Sequence, residues 1–397
     1  MTHRSLIAVT AAICLLPPIY AAEGALDRAR LKLIPMRTQE LVDKGTISGA
    51  ITLVARHGEI VAFDAVGYQD VENRKPMRRD TIVQVMSQTK SVTAVAAMML
   101  VEEGKLDLQR SVESYLPEFK GQMVREKRAD GTESLHAPVH PPTVWQLLSH
   151  TSGLPYMPDK ELTNLDYTLD ITLEEAVRVY GREPLVSEPG TKHMYSNMGI
   201  ATAGRIIEVV SGEEYTRFVQ NRILAPLGME DSFFFPPEDK KSRIAMVYTH
   251  EDGKLVLARE KAQGGDPAKY RAGAKYPGPE LGLYSTASDL LRFYQMLANR
   301  GVYGGRRYLS AQTIRLMTQD FTPEHTGYGL GFSLRNGPQS LLSLVSPGTF
   351  GHGGAFGTIG LVDLQNDLVI IFLGQMIDGS TDAGRAALCQ IAESAVE

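Results

Sequence analysis

The chain is expected to be an α+β protein, with one β-sheet assembled from both ends of the sequence and a largely helical segment inserted between them. Three observations lead to this. Two apolar or alternating runs, Gly49 to Ala55 and Ile60 to Tyr68, flank Arg56-His57-Gly58-Glu59 in a strand–turn–strand pattern. Strand-like runs return near the end, at Gly329 to Leu334, Gly357 to Asp363 and Leu368 to Leu373, the last two joined by a tight turn over Leu364 to Asp367. From Asp107 to about Asn299 the pattern is that of helices with long loops.

Taken in order, residues 1–22 read as a secretory signal: a short basic start at His3-Arg4, an apolar run Ser5 to Ile19 interrupted by Pro17-Pro18, then Ala21-Ala22. Leu26 to Lys44 reads as an amphipathic helix with a break at Pro35. After the strand pair, an apolar helix runs from Ser87 to Glu103 and stops at Gly104, a natural C′ residue. Gln122 to Pro142 is polar, holds Asp130-Gly131 and reads as a hairpin or insertion. Helical stretches follow at Val144–Ser149, Leu173–Tyr180, Met198–Val210, Tyr215–Leu224 and Ser288–Asn299, with a polar, Gly-rich loop region over Glu251 to Pro279. A closing helix spans Asp382 to Val396. There are no internal repeats.

Composition narrows the function classes. The 397 residues are 43% hydrophobic, enough for a large core. A formal net charge of −5 leaves no basic excess to neutralise phosphates, which argues against nucleic acid as a partner. Loss of the signal would remove Cys14 and leave Cys389 alone, so no internal disulfide is expected. Beyond the signal, no segment has the length of a membrane span.

Ser87-Gln88-Thr89-Lys90 is the only S-x-x-K in the chain. Residues at i and i+3 share a helix face, so the hydroxyl and the amine can point into one space. Serine becomes a useful nucleophile when a neighbouring base takes its proton, and a helix start favours developing negative charge. The motif alone also fits a helix cap with a solvated lysine. Three other segments bear on the choice. Tyr195-Ser196-Asn197 supplies a hydroxyl that could share a proton with a lysine. Gly348-Thr349-Phe350-Gly351-His352-Gly353-Gly354-Ala355-Phe356-Gly357 offers small residues and free N–H groups, as an oxyanion hole needs. Leu147-Leu148-Ser149-His150-Thr151-Ser152-Gly153-Leu154-Pro155 ends a helix in a hydrogen-bonding turn, where His150 is expected to brace the loop.

Together, Ser87-x-x-Lys90, Tyr195-x-Asn197 and His352-Gly353-Gly354 resemble the three motifs of the serine β-lactamase and penicillin-binding protein superfamily. Within it the chain is similar to class C β-lactamases and, more closely, to family VIII carboxylesterases. Accessory segments agree: Pro76-Met77, Asp80-Thr81, Gly282-Leu283-Tyr284-Ser285-Thr286 and Tyr328-Gly329-Leu330-Gly331. The resemblance implies an antiparallel sheet flanked by helices, a β-lactamase/transpeptidase-like α/β sandwich over residues 23–86 and 300–397. A mainly helical domain over 87–299 would lie beside it, with the site between them. It also implies that Ser87 is acylated, that Lys90 and Tyr195 form the base pair, and that Asn197 orients Lys90 and substrate. The backbone N–H groups of Ser87 and Ala355 would form the oxyanion hole, and His352, Gly353 and Gly354 would line the substrate.

The departure is His352, where β-lactamases usually carry the lysine of a K-T-G motif. Histidine is mostly neutral at pH 7, which suits a neutral ester better than an anionic β-lactam. The chain has no G-x-S-x-G elbow and no H-E-x-x-H, and Pro138 separates His136 from His140, so neither an α/β-hydrolase nor a zinc site is expected. The expectation is a secreted or periplasmic serine carboxylesterase acting on short-chain esters without a cofactor. A β-lactamase or D-amino acid peptidase, and a non-enzymatic peptidoglycan-binding module, are the alternatives.

Overall fold

A computed structural model describes residues 26–127, 130–158, 169–258, 271–335 and 344–396; the 1–22 signal reading lies outside them. At its centre is a seven-stranded antiparallel sheet in the spatial order Ser333–Arg335, Thr349–Gly354, Thr358–Asp363, Leu368–Leu373, Gly49–Arg56, Glu59–Asp70 and Lys75–Pro76. The two ends of the chain meet at its middle, where Ile51 pairs with Leu373 and Arg56 with Leu368. His57 and Gly58, at φ 50° and 78°, form the tight turn of the N-terminal hairpin.

Both central strands are buried along their whole length, so each supplies side chains to two cores. Ala50, Val54, Ile370 and Phe372 face the helices Leu33–Asp43 and Asp382–Ser394 through Ile34, Leu388 and Ala392. Ile51, Leu53, Val369 and Ile371 face the other way, against the Ala287–Ala298 helix, which brings Leu290 and Tyr294. The period of two along each strand decides which residue enters which core.

The helical stretches Val144–Leu148, Leu173–Tyr180, Asn197–Ser211 and Tyr215–Val219 stand close to where the sequence placed them. Gln122–Pro142 contains the hairpin Val124–Lys127 with Glu133–His136. Two details differ. The first helix breaks at Lys32, not Pro35. Pro35 is the third residue of Leu33–Asp43, in the first turn, where a missing N–H costs the helix no bond. The Gly329–Leu334 run is a strand only from Ser333. Gly331 sits at φ 77°, where a Cβ would come 2.3 Å from Ala94 Cβ, so this stretch turns tightly over the Thr89–Glu102 helix. The helix Ala311–Met317 has no counterpart in the sequence reading.

Candidate active site

Ser87 lies against the ends of the sheet strands Thr349–Gly354 and Thr358–Asp363, at the start of the Thr89–Glu102 helix. The long helix begins at Thr89, preceded by a single 3-10 turn over Met86–Gln88, so Ser87 projects from that turn rather than capping the helix. Met86, ahead of it, has φ 53°, a left-handed conformation that costs a non-glycine residue about 1–2 kcal/mol. The surroundings hold it there: the Met86 side chain is fully buried, and Thr89 Oγ1 donates to its carbonyl at 2.6 Å. Twelve of the 14 residues of Thr89–Glu102 are buried, Lys90 among them.

Burial dictates the chemistry of Lys90. Its Nζ is 3.0 Å from Ser87 Oγ and 2.8 Å from the main-chain oxygen of Glu280, and lies 4.8 Å from the centre of the Tyr195 ring. Loss of hydration disfavours the ammonium and lowers the Lys90 pKa to about 7, although the Glu280 charge pulls the other way. Half of the amines are then neutral near pH 7, with a lone pair for the Ser87 proton. Tyr195 is hydrogen-bonded to Ser87, and burial holds its phenol well above the ordinary value. Tyr195 therefore stays protonated, within hydrogen-bond reach of Ser87. Burial thus pushes the two groups apart: it favours the neutral amine of Lys90 and the protonated phenol of Tyr195.

Tyr195 is gripped from both sides by His150. Met194 N–H donates to the His150 carbonyl at 2.8 Å, and Ser196 N–H donates to His150 Nδ1 at 3.0 Å. The His150 ring lies on the Tyr195 ring, with centroids 4.2 Å apart. Ser196 Oγ caps the next helix by accepting from Gly199 N–H and donates to the Pro155 carbonyl. Asn197 begins that helix. Its Nδ2 lies 3.6 Å from Met157 Sδ, and its buried Oδ1 has no hydrogen-bond partner among the described residues. The contacts of Lys90 are thus to Ser87 and Glu280, not to Asn197.

The strand Thr349–Gly354 is pressed against the nucleophile turn, and glycine makes this possible. A Cβ on Gly354 would lie 2.2 Å from the Val85 carbonyl, and one on Gly351 would lie 2.0 Å from the Gly360 carbonyl. Thr358 Oγ1 donates to the same Val85 carbonyl at 2.8 Å. Gly353 is looser, with the nearest atom to a Cβ 3.5 Å away. Ala355 follows in an exposed turn, on the strand end nearest the nucleophile turn. Ser87, in the first turn of its short helix, has an N–H the helix does not use.

His352 is buried at 4% exposure, with both ring nitrogens engaged inside the protein. Nε2 is 2.9 Å from Tyr328 Oη and Nδ1 is 2.6 Å from the Gly353 carbonyl. Burial, then the nearby Lys90 charge, lowers its pKa to about 3. Its ring is neutral, as the sequence suggests, and is held by the protein.

Two residues had no role in the sequence reading. Tyr328 was visible only as part of a Tyr-Gly-Leu-Gly segment. Glu280 precedes the Gly282-Leu283-Tyr284-Ser285-Thr286 segment, and nothing in its spacing marks it. Its loop is fastened by the fully buried Arg271, whose guanidinium donates to the carbonyls of Phe234, Tyr276, Pro277 and Gly282.

A serine hydroxyl against a buried amine and a protonated tyrosine, beside a sheet built from both ends of the chain, defines a serine hydrolase of the β-lactamase fold. The chain belongs to the Beta-lactamase family, whose sequence model matches residues 37–387. Protein Rv1367c of Mycobacterium tuberculosis is 32% identical over 378 residues, covering 88% of this chain and 91% of the relative. Esterase EstB of Burkholderia gladioli is 29% identical over 384 residues, covering 90% and 92%. Among solved structures, EstCE1, a hydrolase with promiscuous acyltransferase activity, superposes with a TM-score of 0.80 at 27% identity, covering 93% of this chain and 99% of that one.

Proposed function

We propose that this protein is a serine carboxylesterase that cleaves short-chain, uncharged esters through a covalent acyl-enzyme. The observation that carries it is the fully buried Lys90 amine, with its pKa lowered to about 7, 3.0 Å from Ser87 Oγ. The neutral amine accepts the Ser87 proton as Oγ attacks the ester carbonyl. The N–H groups of Ser87 and Ala355 hold the oxyanion that forms. Collapse breaks the bond to the alcohol oxygen, which leaves with a proton from Tyr195, and Tyr195 is reprotonated from Lys90. Water enters by the reverse route, giving its proton to the Lys90–Tyr195 pair and its oxygen to the acyl carbon. The carboxylic acid leaves and Ser87 is restored.

The esterase and hydrolase relatives support an ester substrate, as does the site's lack of a fixed positive charge at His352. The apolar start of the chain supports export, which N-terminal sequencing of secreted material would check. The central test is a panel of p-nitrophenyl esters of rising chain length beside nitrocefin, on the wild type and Ser87→Ala. Butyrate turnover at least a hundredfold above nitrocefin, lost in Ser87→Ala together with fluorophosphonate labelling, is the expected result. Full hydrolysis by Ser87→Ala refutes the mechanism. Nitrocefin turned over faster than any ester would instead support a β-lactamase.

A further inference from the structure

Two motifs of the site, distant in sequence, are joined by a hydrogen-bond chain whose direction can be deduced link by link. Ser196 N–H is a donor, so His150 Nδ1, 3.0 Å away, must be its acceptor. A neutral His150 therefore carries its proton on Nε2 and donates it to Tyr328 Oη at 3.1 Å. Tyr328, having accepted from His150, has its own O–H free to donate to His352 Nε2 at 2.9 Å. His352 then carries its proton on Nδ1, which donates to the Gly353 carbonyl at 2.6 Å. Each link fixes the next, and no link is ambiguous once the first is set. His150 is fully buried and Tyr328 and His352 are each 4% exposed, so water does not compete for these bonds.

The two ends of the chain matter. One is the peptide immediately after Tyr195. The other is the carbonyl of Gly353, one peptide before the Gly354–Ala355 unit pressed against the Ser87 turn. Along the way, the His150 ring lies tilted against that of Tyr195, and the Tyr328 ring meets Tyr195 edge-on, with centroids 6.4 Å apart. The groups facing the chain are Lys90, His193, Tyr195 and Arg335; burial first, then the Lys90 charge, keeps both imidazoles neutral.

We propose that His150, Tyr328 and His352 are positioning residues: a neutral, one-way hydrogen-bond chain that sets the phenol of Tyr195 and the oxyanion N–H of Ala355 at a fixed distance from each other. On this reading His352 spends its ring on alignment rather than on contact with substrate. The proposal rests on the serine hydrolase reading, but its first test does not need activity. Nitrogen NMR of histidine-labelled wild type should show His150 as the Nε2–H tautomer and His352 as the Nδ1–H tautomer, neither titrating between pH 5.5 and pH 8.5. The opposite tautomer at either residue, or an inflection in that window, overturns the chain. Tyr328→Phe keeps the ring and removes the middle link. Its kcat for p-nitrophenyl butyrate, counted per site titrated with fluorophosphonate, should fall about tenfold or more with KM within twofold, while both histidines keep their tautomers, each held by its own backbone partner. Unchanged kcat in Tyr328→Phe also overturns it. A wild type that cleaves no ester defeats the hydrolase reading, while the spectra still decide the chain.

Discussion

Lys90 donates from Nζ to the main-chain oxygen of Glu280 at 2.8 Å, so the aim of the general base is set by a loop 190 positions further along the chain. The same residue tunes the amine. Burial lowers the Lys90 pKa and the Glu280 charge opposes it, leaving the value near 7. Only the unprotonated amine accepts the Ser87 proton, so kcat/KM should rise with pH through a midpoint near 7 and fall about tenfold per unit below it. Tyr195 keeps its proton, so no tyrosine-dependent decline is expected on the alkaline side up to pH 9. Glu280→Gln removes the charge that favours the ammonium while keeping the main-chain acceptor. Its midpoint should move down by about one unit, measured as a pH profile of p-nitrophenyl butyrate hydrolysis. An unmoved midpoint would exclude Glu280 from the tuning.

The glycines of the motif strand are not equivalent. A methyl on Gly354 would meet the Val85 carbonyl at 2.2 Å and Thr358 Oγ1 at 2.3 Å, whereas one on Gly353 meets nothing closer than 3.5 Å. Gly354→Ala should cost about 2 kcal/mol of stability as the strand moves off the nucleophile turn. It should also lower kcat about a hundredfold through the displaced oxyanion donors. Gly353→Ala should stay within about 0.5 kcal/mol and within threefold in kcat. Thermal melts and steady-state kinetics on the pair separate the two.

Far from Ser87, Glu393 and Asp363 share a buried site beneath the hairpin formed by Thr358–Asp363 and Leu368–Leu373, with Asn366 Nδ2 donating to Glu393 at 2.9 Å. Burial, then the neighbouring Asp363 charge, raises the Glu393 pKa from an ordinary 4.5 to about 8. The folded state thus holds a proton that the unfolded state releases above pH 4.5. The stabilisation from that proton is complete below pH 4.5 and is lost as pH rises through 8. Glu393→Gln imitates the protonated acid at every pH. Relative to wild type it should be neutral at pH 4.5 and more stable by about 1 kcal/mol at pH 8, read from denaturant midpoints.

Much of the architecture was legible because it rests on local patterning. The alternating strands, the stop at Gly104 and the Leu173–Tyr180 helix follow from periodicity and caps that the sequence displays. The Ser87–Lys90 pairing was legible for the same reason, since one helical turn brings the two together. What stayed hidden depends on contacts remote in sequence. The positive φ of Met86 has no signal in the sequence; Gly354 packs against Met86 and Thr358 holds the Val85 carbonyl, both far along the chain. Glu280 reaches Lys90 only through a loop pinned by Arg271. The ring partner of His352, Tyr328, comes from a turn that nothing in the His352-Gly353-Gly354 motif points to. The break at Lys32 shows the limit of propensity: Pro35 interrupts a helix interior but is well placed in a first turn.

The pairing of Ile51 with Leu373 carries a consequence for biosynthesis. The central strand partner of Gly49–Arg56 leaves the ribosome about 320 residues after it. At about 5–20 residues per second that is a delay of tens of seconds. For most of it, Ser87 and Lys90 have been synthesised, but the strand that presses against their turn has not. Acyl-transfer competence therefore arrives at the end of synthesis, as a property of the finished chain. A chaperone that holds the first hairpin open during that interval delays the chemistry as well as the fold.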